Sequence, residues 1–200
     1  MTPTPTTSAG RTHDRILATA RGLFARYGYS GISTRDIASE ADVNEVTIYR
    51  RYTSKRDLYH AVLESELQQI HLRGDSLAWL AEAHNGRTAL DRTFQLILTT
   101  FEQKPDLLRL VQFSVLELSE DLDQLLRKHL SELIAVLATY LKPWVDNGEV
   151  RCSDAKVLVL TLITIASSYP SIHRMFSGDI STPETMLRAY ADFCVCVSKR

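Results

Sequence analysis

Between Ile32 and Tyr52 the sequence gathers Asn44, Glu45, Val46, Thr47, Tyr49 and Arg50 within seven consecutive positions. These side chains offer hydrogen-bond donors and acceptors, one cation and a branched apolar group, the repertoire that reads base edges and phosphates. Around them stand Ile37, Ala38, Ala41, Val43 and Ile48, small or branched residues that can lock two short helices at a steep angle. Ala38 and Ala41 must be small because the helices cross closely. Two helices of about two turns joined by a three-residue turn form a helix-turn-helix. A short second helix with a polar outer face can enter a major groove. The chemistry expected is therefore recognition, not bond making.

Catalytic patterns are missing. The six histidines, His13, His60, His71, His84, His129 and His173, make no HExxH or ExxH spacing. There is no GxSxG elbow and no phosphate-binding glycine loop. No enzyme activity, catalytic residue, cofactor or metal is expected. The three cysteines, Cys152, Cys194 and Cys196, fit neither a disulfide framework nor a four-ligand zinc site. A reduced cytoplasm is the plain reading. On a helix Cys194 and Cys196 point about 200° apart, a poor arrangement for one metal. A redox- or metal-responsive regulator using Cys194 and Cys196 is one alternative. A helical protein-interaction adaptor is another.

The elements that must position these residues are helical throughout. Of 200 residues, 44% are apolar and 24% charged, which suffices for a buried core. Net charge is −1, so whole-chain basicity gives no argument for nucleic acid. The distribution is uneven: residues 1–60 carry nine Lys/Arg against six Asp/Glu, and residues 61–200 carry fourteen against eighteen. A mildly basic head on an acidic body suits a DNA-reading module joined to a regulatory one. Residues 1–10, rich in Thr and Pro, read as a disordered tail without a secretory apolar region. The longest strongly apolar run, Val157 to Ala166, is about half a membrane span and reads as a buried helix.

Periodicity predicts a first helix near His13–Tyr27, with Ile16, Leu17, Ala20, Leu23, Phe24 and Tyr27 on one face and Gly28 as its stop. Ser33 or Thr34 should cap the second helix, Asn44 the third and Ser54 a fourth that reaches about Leu72. Further helices are expected near 87–103, 106–118, 120–145, 153–176 and 183–198, with Asn147-Gly148 ending the third of these, Pro143 bending or terminating its last turn, and Pro170 as a kink. The expectation is an all-α fold of about nine helices. It divides into a tail at 1–10, a DNA-binding domain at 11–71 and an effector-binding and dimerisation domain at 72–200.

The sequence resembles the tetracycline-repressor (TetR) family of bacterial regulators. The matching residues run Ile16-Leu17, Ala20, Leu23-Phe24, Gly28-Tyr29, Gly31, Thr34-Arg35-Asp36-Ile37-Ala38, Ala41-Asp42-Val43, Thr47-Ile48-Tyr49-Arg50-Arg51-Tyr52, Ser54-Lys55 and Leu58-Tyr59. Two positions depart from the commonest form: Asp42 stands where Gly is usual, and Val46 where a small residue is usual. Asp tolerates unusual backbone angles, so the turn should survive. The resemblance implies phosphate contacts at the helix N-termini of Thr34 and Lys55, and phosphate or groove-edge contacts for Thr47 and Tyr49. It implies base reading by Asn44, Glu45, Val46 and Arg50, a backbone or minor-groove contact for Arg35, and a packing role for Tyr52.

The body looks like the ligand-binding domains of the same family. The resemblance implies an unknown small-molecule effector. Candidate pocket residues are Phe94, Leu98, Phe101, Val111, Phe113, Tyr140 and Trp144, with Gln112 and Ser114 as polar handles. It also implies a homodimer through the last two helices, using Leu158, Leu162, Ile165, Ala166, Met186, Leu187, Tyr190, Phe193 and Val197. Such a dimer would match a palindromic operator on double-stranded DNA. On the fourth helix Leu58, Ala61 and Val62 should face the head, and Tyr59, Leu63, Leu67 and Ile70 the body. The implied function is a cytoplasmic transcriptional repressor released by its effector, with no membrane partner.

Overall fold

The computed structural model describes residues 8–70, 74–117, 121–175 and 182–195. They form ten helices and no strand: α1 (Ser8–Tyr27), α2 (Thr34–Glu40), α3 (Glu45–Tyr49), α4 (Lys55–Gln68), α5 (Gly74–Ala81), α6 (Gly86–Gln103), α7 (Pro105–Glu117), α8 (Asp121–Asp146), α9 (Ala155–Met175) and α10 (Pro183–Cys194). Much of the expected tail, residues 1–7, lies outside the described residues; α1 already begins at Ser8. The unexpected helix is α5. It is only two turns long, too short for a strong periodic signal. Leu77, Trp79 and Leu80 nonetheless give it an apolar face that packs on the core. Pro143 and Pro170 both lie inside helices that continue past them.

The chain divides into two compact units, and the division differs from the one expected. The first comprises residues 1–70 and 104–126; the second comprises 71–103 and 127–200. α7 therefore belongs with the head. Its apolar surface predicts burial but says nothing of which neighbours supply it.

In the first unit Ile16, Ala20 and Phe24 bury one face of α1 completely. Gly28 ends that helix at φ 77°, with its N–H donating to the Phe24 carbonyl at 3.0 Å. A Cβ there would lie 3.3 Å from the Phe113 ring of α7 and closer still to the Glu117 carboxylate. Glycine is thus required by backbone angle and by space together. Tyr59 of α4 is fully buried in an edge-to-face aromatic group with Phe24 and Tyr29. Its hydroxyl donates to the Leu110 carbonyl of α7 at 2.6 Å. Burial raises its pKa first, and the charge of Glu117 adds to the effect. Tyr59, Leu63 and Leu67, expected to face the body, are buried, and Tyr59 ties α4 to α7, a helix the expected division counted in the body. A buried carboxylate, Glu66 of α4, meets Arg21 of α1 at 3.2 Å and Lys104, the residue before α7, at 3.6 Å.

The second unit is built around Leu80, Leu90, Phe94, Leu137, Leu141 and Leu158, contributed by α5, α6, α8 and α9. α10 closes on this core through Ala191 and Cys194. α9 is apolar on two sides. Leu158, Leu162 and Ala166 are wholly inside the unit, whereas Val157 and Leu160 are half exposed. The stretch Ala155–Ile172 is long and apolar enough to cross a membrane by length and composition alone. The core residues along it give a second reason for that apolarity.

Candidate nucleic-acid interface

Local rules place α2 and α3 before any tertiary contact acts. Ser33 caps α2: its side chain accepts from the Asp36 N–H, while the Asp36 carboxylate accepts from the Ser33 N–H at 2.9 Å. This reciprocal capping box satisfies two donors of the first turn. The Ser33 hydroxyl also donates to the Asp36 carboxylate at 2.6 Å, and this bond, followed by the one from the Ser33 N–H, holds the Asp36 carboxyl below its ordinary pKa. Ile37, Ala38 and Ala41 are buried, so the two helices do approach over small side chains. Asp42 carries the turn at φ 50°, the left-handed angle that the commoner glycine would take. The Val43 N–H closes the turn on the Ala38 carbonyl at 3.0 Å. Arg15 of α1 donates to the Asp42 carbonyl at 3.1 Å. No sequence signal marked that residue, because its partner is a backbone atom 27 positions away.

α3 is short, and its orientation depends on side-chain ties. Asn44 caps it, accepting from the Val46 N–H at 2.9 Å. Ile48 is fully buried and anchors the inner face. On the outer side Val46 is 57% exposed and Tyr49 50% exposed, with Arg50 and Asn44 also exposed. Thr47 is half-buried. Val46, Tyr49 and Arg50 are spaced i, i+3, i+4, so they share one open face. Arg35 is exposed on α2. Apolar, aromatic and cationic groups standing open on one short, capped helix are what groove entry requires.

Residues 16–62 match the family model for bacterial regulatory proteins of the tetR family. That stretch is the DNA-binding module of the tetR family. The chain is 27% identical over 177 residues to YvkB of Bacillus subtilis, an uncharacterized HTH-type transcriptional regulator, covering 86% of this chain and 89% of that one. The structure of the transcriptional regulator SCO4942 from Streptomyces coelicolor is similar at 26% identity and TM-score 0.59, over 90% of this chain and 93% of that one. FadR from Bacillus subtilis, solved with stearoyl-CoA, shares the fold at 16% identity and TM-score 0.68, over 92% and 97% of the two chains.

Within this TetR-family head, three expected contacts take other positions. Thr34 is only 6% exposed. Its hydroxyl donates to the Glu45 carboxylate at 2.7 Å, and the Tyr49 hydroxyl lies 3.0 Å from it as the remaining donor. Thr34 and Glu45 thus brace α2 against α3; the Thr34 side chain is turned inward, and Glu45 is held by it. Lys55 sits at the start of α4 as expected, but its ammonium lies over the Tyr29 ring at 4.3 Å. Burial lowers its pKa, against the raising influence of Glu117 and Asp36. Tyr52 is buried, stacks on His13 and shares a 3.1 Å hydrogen bond with it, in keeping with a packing role.

The residues expected to line an effector pocket are divided between the units. Phe94, Leu98, Phe101, Tyr140 and Trp144 belong to the apolar cluster of the second unit. Val111, Gln112, Phe113 and Ser114 lie on α7 in the first. Two clefts have other linings. One of about 180 Å³ lies along α1 and α4 beside Leu17, Arg21 and Glu66, and one of about 380 Å³ lies along α8 and α9 beside Ala138, Lys142 and Asp154.

The dimer set also changes. Leu158, Leu162 and Ala166 have no exposed area, so they have none to bury against a second chain. Sequence periodicity put them on one face; it could not say that this face is the inner one. Ile165, Met186 and Tyr190 are half-buried. The side chains of Leu187 and Phe193, and all of Val197, lie outside the described residues.

Proposed function

We propose that this protein is a TetR-family regulator, a cytoplasmic repressor that binds a palindromic operator as a homodimer and leaves it when a small molecule binds. The observation that carries the reading is the open face of α3, where Val46, Tyr49 and Arg50 stand exposed on a helix fixed by the Thr34 brace and the Asn44 cap. Arg50 and Val46 would meet base edges, as guanine acceptors and a thymine methyl respectively. Asn44 would read alongside them. Thr47, Tyr49 and Arg35 would meet phosphates or groove edges, and Glu45 would position α3 rather than read bases. Lys55 would reach phosphate only by leaving the Tyr29 ring.

The dimer would use the outward side of α9, where Val157 and Leu160 are half exposed, together with Ile165 and Tyr190. A two-fold pair of heads would then present two copies of α3 about one DNA turn apart. The effector would bind in the second unit. The stearoyl-CoA held by FadR supports the capacity of this fold for an apolar ligand. Release requires that the ligand prefer the conformation that does not bind DNA, since only differential affinity moves the equilibrium.

Footprinting on the DNA flanking the protein's own gene tests the reading. Two protected half-sites with two-fold symmetry, about ten base pairs apart or a multiple of that, are expected. A full-length protein that stays monomeric, or that protects no symmetric site, overturns it.

A further inference from the structure

Two of the three cysteines come together in the second unit. Val150 and Val195 form an isolated antiparallel bridge. Beside it the Arg151 N–H donates to the Cys194 carbonyl at 2.7 Å. Arg151 and Cys194, paired in this way, have Cα atoms about 5.5 Å apart, and Cys152 is the next residue after Arg151, drawn back by its own N–H bond to the Val150 carbonyl at 3.0 Å. Cys194 is one residue, and Cys152 two, from the bridging pair. Both thiols pack on the same apolar cluster.

One side chain is influenced by both cysteines. Tyr190, a turn before Cys194 on α10, has its hydroxyl hydrogen-bonded to the Cys194 thiol and within electrostatic reach of Cys152. Its pKa is pushed up to about 12, by burial first and then by the Cys194 thiol. The two cysteines differ in access. Cys194 is 5% exposed, while Cys152 is half-buried, with its thiol donating to the Asp154 carbonyl at 3.3 Å. Among the described residues no group of three His, Cys, Asp or Glu side chains could hold a metal.

We propose that Cys152 and Cys194 form a reversible intramolecular disulfide when the protein meets a hydroperoxide. Cys152, the accessible thiol, attacks a peroxide oxygen; the O–O bond breaks, giving a Cys152 sulfenic acid and water or an alcohol. The Cys194 sulfur then attacks the sulfenic sulfur. The S–O bond breaks, and the leaving hydroxide takes the thiol proton to become water. Two electrons pass from the thiols to the peroxide. The new S–S bond fastens the segment before α9 to the end of α10, which noncovalent contacts, including the 2.7 Å backbone bond, otherwise hold there. A transient, oxidant-made bond of this kind suits a reducing compartment. The proposal is independent of how the head reads DNA.

The test uses the reduced full-length chain, treated with hydrogen peroxide, blocked with N-ethylmaleimide and digested with trypsin. The expected product is a crosslink between the peptides Cys152–Lys156 and Ala189–Lys199, with fragmentation placing the bond on Cys194. Free thiols should fall from three to one, and dithiothreitol should restore them. Cys196→Ser should keep the crosslink, and Cys152→Ser should lose it. Because the wild-type peptide map assigns the bond, no buried-cysteine variant needs to fold. A bond to Cys196, a link between two chains, or Cys152 sulfinic acid beside an alkylated Cys194 overturns the proposal.

Discussion

Thr34→Val isolates the brace between α2 and α3. The substitution keeps shape and volume and deletes one hydroxyl. That hydroxyl donates to a carboxylate at 2.7 Å and lies 3.0 Å from a phenol. A hydrogen bond to a charged group contributes about 1.5–3 kcal/mol and a neutral one about 0.5–1.5 kcal/mol. Both partners here reach water, since Glu45 is half-buried and Tyr49 half exposed, so rehydration offsets much of the loss. The expected cost in stability is about 1–2 kcal/mol. Operator affinity should fall by a similar energy, roughly 5- to 30-fold. Without the brace, α3 loses its fixed angle and the Glu45 carboxylate is freed near the phosphates. Thr34→Ser keeps the hydroxyl and should stay close to wild type in both. Urea unfolding and fluorescence anisotropy on operator DNA measure the two quantities. Wild-type behaviour of Thr34→Val in both, or a Thr34→Ser variant as damaged as Thr34→Val, refutes the brace.

Three more outcomes follow from single positions. Gly28→Ala should cost roughly 1–3 kcal/mol, because it forces a Cβ into φ 77° beside the Phe113 ring; an unchanged urea midpoint contradicts this. Asp36 has a depressed pKa in the folded state, so its contribution is complete above the unfolded value of about 3.9 and is lost as pH falls through the lower folded value. Stability should therefore drop more steeply below about pH 4 in wild type than in Asp36→Ala, and parallel curves contradict the assignment. On α9, Leu162→Ala should cost about 2–5 kcal/mol as a core truncation. Leu160→Glu should instead leave folding intact and weaken dimerisation in sedimentation; the reverse pattern contradicts the assignment of faces.

The sequence made the local geometry of the head readable. Ser33, Asn44 and Ser54 each cap the helix expected of them. Gly28 and Asp42 take the left-handed angles that their positions demand. These signals act over four residues or fewer, so one sequence carries them. What was not readable depends on distant neighbours. α7 joins the head through Tyr59 and Leu110, 51 positions apart. Thr34 turns inward because Glu45 and Tyr49 lie across a turn from it. α9 is apolar on two sides, and composition alone does not say which side is the core.

The central claim is that the outer face of α3 touches DNA. It is tested most directly by the affinity of wild type, Arg50→Ala and Tyr49→Ala for a duplex from the protein's own upstream region, measured at several salt concentrations. Wild-type affinity should fall steeply with salt. Arg50→Ala should bind roughly 5- to 100-fold more weakly, the loss of one good base contact, and Tyr49→Ala should also be weaker. Equal affinity of all three proteins for that duplex would contradict the account.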